Sequence, residues 1–149
     1  MRLLPGWHPL FVHFPLALGL FAAALLLAAR VLPNARHAAV LGLVGTWNLV
    51  AAAIGALFAL GSGLAAVVGL VLPPEARLAV GSHVKWALSA AFLLVALAVW
   101  RGAGNEPDAR PSWLLLGVLA FASAALIVTG YLGGQNVYVY GIGVAALAK

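Results

Sequence analysis

The chain has 149 residues, 65% hydrophobic and only 7% charged, with a formal net charge of +5 and no cysteine. A soluble domain is about a quarter charged, so this composition cannot cover a core with a water-facing surface, and lipid is its natural solvent. The absent cysteines exclude disulfides, iron–sulfur ligation, haem attached through a CxxCH motif and cysteine-ligated copper, and the scattered basic residues exclude a nucleic-acid footprint.

The first apolar run, residues 10–32, is too long for a signal-peptide core and reads as a retained membrane span. Its entry is Trp7-His8-Pro9-Leu10-Phe11-Val12-His13-Phe14-Pro15. Pro9 suits a first helical turn, whereas Pro15 lacks an N–H and disfavours helical geometry at Phe14, which predicts a kink or break around His13. Irregular backbone at membrane depth persists only where protein or a cavity covers it, so this entry is a candidate site.

The next uncharged stretch, Ala38 to Val71, would be about 50 Å long as one helix. Gly61-Ser62-Gly63 predicts a break, giving a second span over 38–60 and a short interfacial segment, Leu64–Leu72, closed by Pro73-Pro74. Residues 80–100 and 112–132 make the third and fourth spans, separated by the polar run Arg101–Pro111. In the tail, 133–149, Val137-Tyr138-Val139-Tyr140 alternates like a short strand and fits a cap folded over the bundle mouth. The expected fold is a single domain over residues 1–149. It is an all-α integral membrane protein, a four-transmembrane-helix bundle with an interfacial segment after helix 2 and a Gly/Tyr-rich C-terminal cap.

Four spans put both termini on one side. Arg30, Arg36, Arg101 and Arg110 fall on the other, against Arg2, Arg77 and Lys149 beside the termini. The positive-inside rule then places the termini outside, on the periplasmic face of a bacterial inner membrane.

Of the four histidines, His8 and His13 flank the entry to span one and His83 lies in the first turn of span three, so all three share one surface; His37 reads as a solvated loop residue. Ala87, Ala90 and Ala91 share the helical face of His83, and Ala17 that of His13, which leaves room for a flat ligand or simply lets helices touch. Two neutral imidazoles from different helices are the ligand set of a b-type haem held without cysteine. The expected axial ligands are His13 and His83, with His8 as supporting or substitute ligand and Lys85 and Arg77 as cations for the propionates. A Zn or Cu site using His8, His13 and His83 is the nearest variant. A structural or assembly subunit of a membrane complex, and a proton or small-solute pathway, are the competing classes; Thr46 and Asn48 are the best mid-depth polar groups for the latter. No acid pair or nucleophile triad supports a stand-alone catalyst, so an electron carrier or subunit is expected rather than an enzyme.

Taken together, His8-Pro9-Leu10-Phe11-Val12-His13-Phe14-Pro15, His83 and Thr129-Gly130-Tyr131-Leu132-Gly133-Gly134, with the following Val137-Tyr138 and Gly141-Ile142-Gly143-Val144, resemble the DUF2231 family of bacterial predicted membrane proteins over nearly the whole chain. The resemblance implies a four-helix membrane domain with His8, His13, His83 and the Gly133-Gly134 tail among its characteristic positions. It also implies an association with cytochrome c-like or Rieske-type redox domains. This chain carries no such domain, so a redox partner would be a separate protein beside the lipid bilayer, with a homo- or hetero-oligomer as the further option.

Overall fold

In lipid the backbone has no water to bond, so an apolar run satisfies its N–H and C=O groups within a helix. The computed structural model, which describes residues 7–32, 34–68, 71–103 and 110–143, accordingly contains four helices. They are α1 (His8–Val31), α2 (Ala35–Val67), α3 (Pro74–Ala103) and α4 (Trp113–Tyr138). Each is long and apolar enough to cross a membrane, and the described residues contain no strand. Arg2, Lys149, Val144 and residues 104–109 of the polar run lie outside the described residues. Caps follow local chemistry: the Asn34 side chain accepts the His37 N–H at 3.1 Å, the Ser112 hydroxyl accepts the Leu115 N–H at 3.1 Å, and Pro9 occupies the first turn of α1.

The helices form a ring in chain order. α1 lies mainly against α2 and α3 against α4, while the α2–α3 and α1–α4 seams close the ring. Its interior is built largely of Ala and Leu, among them Ala22, Leu26, Leu49, Ala52, Leu94 and Ala122, all fully or almost fully buried. Small side chains let the helices approach closely, which in lipid supplies by dispersion what the hydrophobic effect supplies in water. The approach is tight at two glycines: a Cβ on Gly19 would stand 2.8 Å from Leu126, and one on Gly45 would stand 2.8 Å from Leu26.

Three expectations about local structure are corrected. α1 is helical throughout, with Pro15 inside it and buried. The ring of Pro15 packs on Gly55 of α2, where an added Cβ would lie 3.3 Å from Pro15 Cδ, so the helix is held through the proline rather than broken at His13. α2 likewise continues through Gly61-Ser62-Gly63 to Val67, taking in residues 64–67 of the expected interfacial segment; residues 69–70 of that segment lie outside the described residues. Two glycines cost a helix about 1 kcal/mol each relative to alanine in water, but in lipid an opened turn would strand its polar groups, and the Ser62 hydroxyl donates to the Ala59 carbonyl at 3.0 Å within the helix. α4 continues through Gly133-Gly134 to Tyr138, so the alternating tyrosine segment is helix and turn rather than strand; the chain then turns at Gly141 and Gly143, whose φ angles of 65° and 82° favour glycine.

The ends of the bundle differ in character. At one end Arg101 is buried in the last turn of α3, where a cation suits the helix dipole, and its Nε donates to the Thr46 hydroxyl at 3.1 Å. Arg30 lies over the Trp113 ring at 5.1 Å, and Arg110 donates to the Leu32 carbonyl at 3.0 Å. The opposite end holds His8, His13 and His83.

Candidate histidine site at the bundle mouth

His8 is the first residue of α1, half-buried against the last turns of α2. Its Nδ1 lies 3.1 Å from the Ala59 carbonyl and 3.2 Å from the Ser62 hydroxyl oxygen. A carbonyl only accepts, so Nδ1 carries the proton and Nε2 keeps its lone pair. The ring comes this close because residue 63 has no side chain: a Cβ there would stand 2.7 Å from His8 Cε1.

His83 is seated the same way in the other hairpin. Its Nδ1 donates to the Thr129 carbonyl at 3.0 Å, and a Cβ on Gly133 would stand 3.2 Å from its Cε1. In both hairpins the imidazole of the first helix bonds the carbonyl of residue i on the second helix and rests on glycine at i+4, with Ala59 and Gly63 in one hairpin and Thr129 and Gly133 in the other. Hydrogen bonds of this kind fix ring orientation and tautomer, as they do for metal-ligating histidines generally.

The two rings then meet across the diagonal of the ring of helices. Their centroids are 6.4 Å apart with planes at 84°. At the ~2.0 Å metal–nitrogen distance typical of imidazole ligation, two rings on one metal have their centres roughly 6 Å apart. The centroid separation of the pair is close to that distance.

The sequence places His83 in a first turn, and the structure corrects this. α3 begins at Pro74, so His83 lies nine residues, about 13 Å, along the helix. That overhang brings His83 level with His8. His13, five residues further along α1, is exposed and donates from Nδ1 to the Pro9 carbonyl of its own helix. His37 is exposed at the start of α2 at the other end. Lys85 is exposed on α3, and Arg77, also exposed, donates to the Leu72 carbonyl at 3.3 Å. Among the described residues no three His, Cys, Asp or Glu side chains gather in one group, so His8, His13 and His83 do not form a triad.

The fold and the histidine pair can now be set against known proteins. A family model described as a predicted membrane protein, DUF2231, matches residues 5–146. The chain belongs to the DUF2231 family. No curated protein and no solved structure matches it significantly. Within this DUF2231 chain the residues that sequence reasoning does not assign to the site are the seats: Ala59 is passed over, Ser62 and Gly63 read as a break, and Thr129 and Gly133 only as part of an end motif. The available signal was the recurrence of a carbonyl position and a glycine four apart near the end of each even helix.

The mid-depth polar groups are satisfied locally. Thr46 donates to the Gly42 carbonyl at 2.7 Å while accepting from Arg101, and Asn48, half-buried, donates to the Val44 carbonyl at 2.9 Å. Neither extends the histidine site across the bundle.

Proposed function

We propose that this DUF2231 protein is a small membrane redox protein, an electron carrier or a subunit of a larger complex, that holds a b-type haem between His8 and His83. The observation that carries the reading is the diagonal pair itself: two imidazoles 6.4 Å apart, each with Nδ1 committed to a backbone carbonyl. A b-type haem needs only two protein donors, which this pair supplies. Glycine beside each ring fits a site where flat groups approach the backbone, and carbonyl-anchored rings fit axial ligation. Compared with the expectation from sequence, His8 takes the place of His13.

When bound, haem supplies a one-electron iron couple; the chain's own residues bind and orient it. His8 and His83 contribute Nε2, while Ala59, Ser62 and Thr129 hold the tautomer that exposes it. Lys85 and Arg77 are the exposed cations at that end for the propionates. In a bacterial inner membrane with the termini outside, the site faces the periplasm, where a separate cytochrome c-like or Rieske-type protein would exchange electrons with it.

A copper or zinc ion on the same pair is the variant, although four-coordinate zinc requires donors beyond two imidazoles. A purely structural role is favoured by one observation: each imidazole already ties the two helices of its hairpin together. An absorption spectrum of detergent-purified protein from haem-replete cells, oxidised and then dithionite-reduced, separates these readings. A Soret band with sharp reduced α and β bands is expected, lost in His8→Ala and His83→Ala and kept in His13→Ala. A featureless visible spectrum overturns the haem reading, and elemental analysis then distinguishes a metal ion from packing.

A further inference from the structure

The two hairpins are linked through polar and aromatic side chains at one end of the bundle. At the arginine end Arg101 of α3 donates to Thr46 of α2, and Arg30 of α1 lies over Trp113 of α4. Arg110, just before α4, donates to the Leu32 carbonyl just after α1. Each of these links crosses from one hairpin to the other. At the histidine end the links stay within a hairpin: His8 to Ala59 and Ser62, Phe11 stacked on Phe58, and His83 to Thr129. Among the described residues the one polar or aromatic contact that crosses there is the edge contact of His8 with His83.

Packing changes along the same axis. The buried core takes in residues 22–26 of α1, 49–56 of α2, 90–98 of α3 and 115–126 of α4, which lie at mid-depth and toward the arginines. Toward the mouth no residue of 81–89 in α3 or of 127–135 in α4 is buried. In α1 and α2, Pro15 and Ala59 are the only buried residues of 8–18 and 57–67. Both are engaged inside their own hairpin, Pro15 on Gly55 and Ala59 through its carbonyl to His8. Helices in lipid hold together by such packing. The hairpins therefore cohere at the arginine end and have little to hold them at the other.

One seam shows the gradient directly. Leu126, Gly130 and Gly134 recur every four residues on the face of α4 that meets α1. A Cβ on Gly19 of α1 would stand 2.8 Å from Leu126, whereas one on Gly130 would stand 3.9 Å from Leu16. A Cβ on Gly134 would meet nothing within 4 Å. The α1–α4 seam thus widens toward the mouth. On the opposite side the chain itself passes from α2 to α3 at the mouth and tethers that seam.

We propose that the bundle is hinged at its arginine end and opens between α1 and α4 at its histidine end, giving the space beside His8 and His83 a side gate. The movement belongs to the unliganded chain and stands or falls apart from the haem reading. Because the chain has no cysteine, paired cysteines carrying nitroxides report on it without background. The full chain, prepared without haem, would be studied in phosphatidylcholine nanodiscs with exposed label sites at each end of the seam. Leu10→Cys with Tyr131→Cys marks the mouth, and Leu27→Cys with Leu114→Cys marks the arginine end. Double electron–electron resonance should give a distance distribution about twice as wide for the mouth pair. Arg30→Gln with Arg101→Gln removes two of the three crossing links and should widen the arginine-end distribution toward that of the mouth. Equal widths at the two ends of the otherwise native chain overturn the gate, and that comparison decides even if the double variant does not fold. An arginine-end width unmoved in a folded double variant overturns the hinge and the proposal with it.

Discussion

In the α1–α2 hairpin His8 is held by two groups, the Ala59 carbonyl and the Ser62 hydroxyl, and a Cβ at residue 63 would come within 2.7 Å of its ring. In the α3–α4 hairpin His83 is held by the Thr129 carbonyl alone, and the corresponding distance at Gly133 is 3.2 Å. The geometry is shared, but the margins are not. His8 sits at the very start of its helix, where the backbone frays, and it has the tighter seat and the extra hydrogen bond. His83 lies more than two turns inside α3 and is positioned by the helix itself.

The largest effects should treat the hairpins alike: if the pair holds haem as proposed, His8→Ala and His83→Ala would each remove one of two donors and abolish the reduced α band, which difference spectra of purified protein would read. If only one substitution does so, the pair is not the ligand set. Gly63→Ala and Gly133→Ala should then separate the hairpins. Overpacking costs about 1–3 kcal/mol, whereas glycine to alanine inside a helix returns about 1 kcal/mol. At residue 63 the clash is with the far end of the His8 ring, so the ring should turn away and haem affinity should drop at least tenfold by titration. At residue 133 a shift of a few tenths of an ångström suffices, and the thermal midpoint should stay within a few degrees of wild type. Equal losses would remove the asymmetry. The smallest effect belongs to Ser62→Ala, which deletes the hydroxyl's bonds to His8 and to the Ala59 carbonyl, each worth about 0.5–1.5 kcal/mol, and leaves His8 on a carbonyl alone, as His83 already is. Its spectrum should be unchanged and its thermal midpoint slightly lower.

The number and order of spans were legible because apolar run length alone decides them. The helix ends were less so. The third span is expected to start at residue 80 and Gly61-Ser62-Gly63 to mark a break, although residues 74–79 and 61–63 are helical. Those signals are calibrated to water, where an opened turn finds new hydrogen-bond partners; lipid offers none. Starting the third span at residue 80 matches the depth of His83 to His13, whereas the structure sets His83 beside His8. Which helix face turns inward is a property of packing that span limits do not contain.

The alanine- and glycine-lined interior has a consequence for how this protein tolerates change. In a leucine-rich soluble core the damaging substitutions are those that delete atoms and leave a void. Here much of the seam has little left to delete: Ala22, Ala52 and Ala122 are fully buried, and Gly19 and Gly45 already touch neighbouring leucines. Along those seams variation in volume runs one way, toward larger side chains that push helices apart. A saturation scan should therefore tolerate Gly and Ser at Ala22, Ala52 and Ala122, disfavour even Ala at Gly19 and Gly45, and reject larger residues at all five.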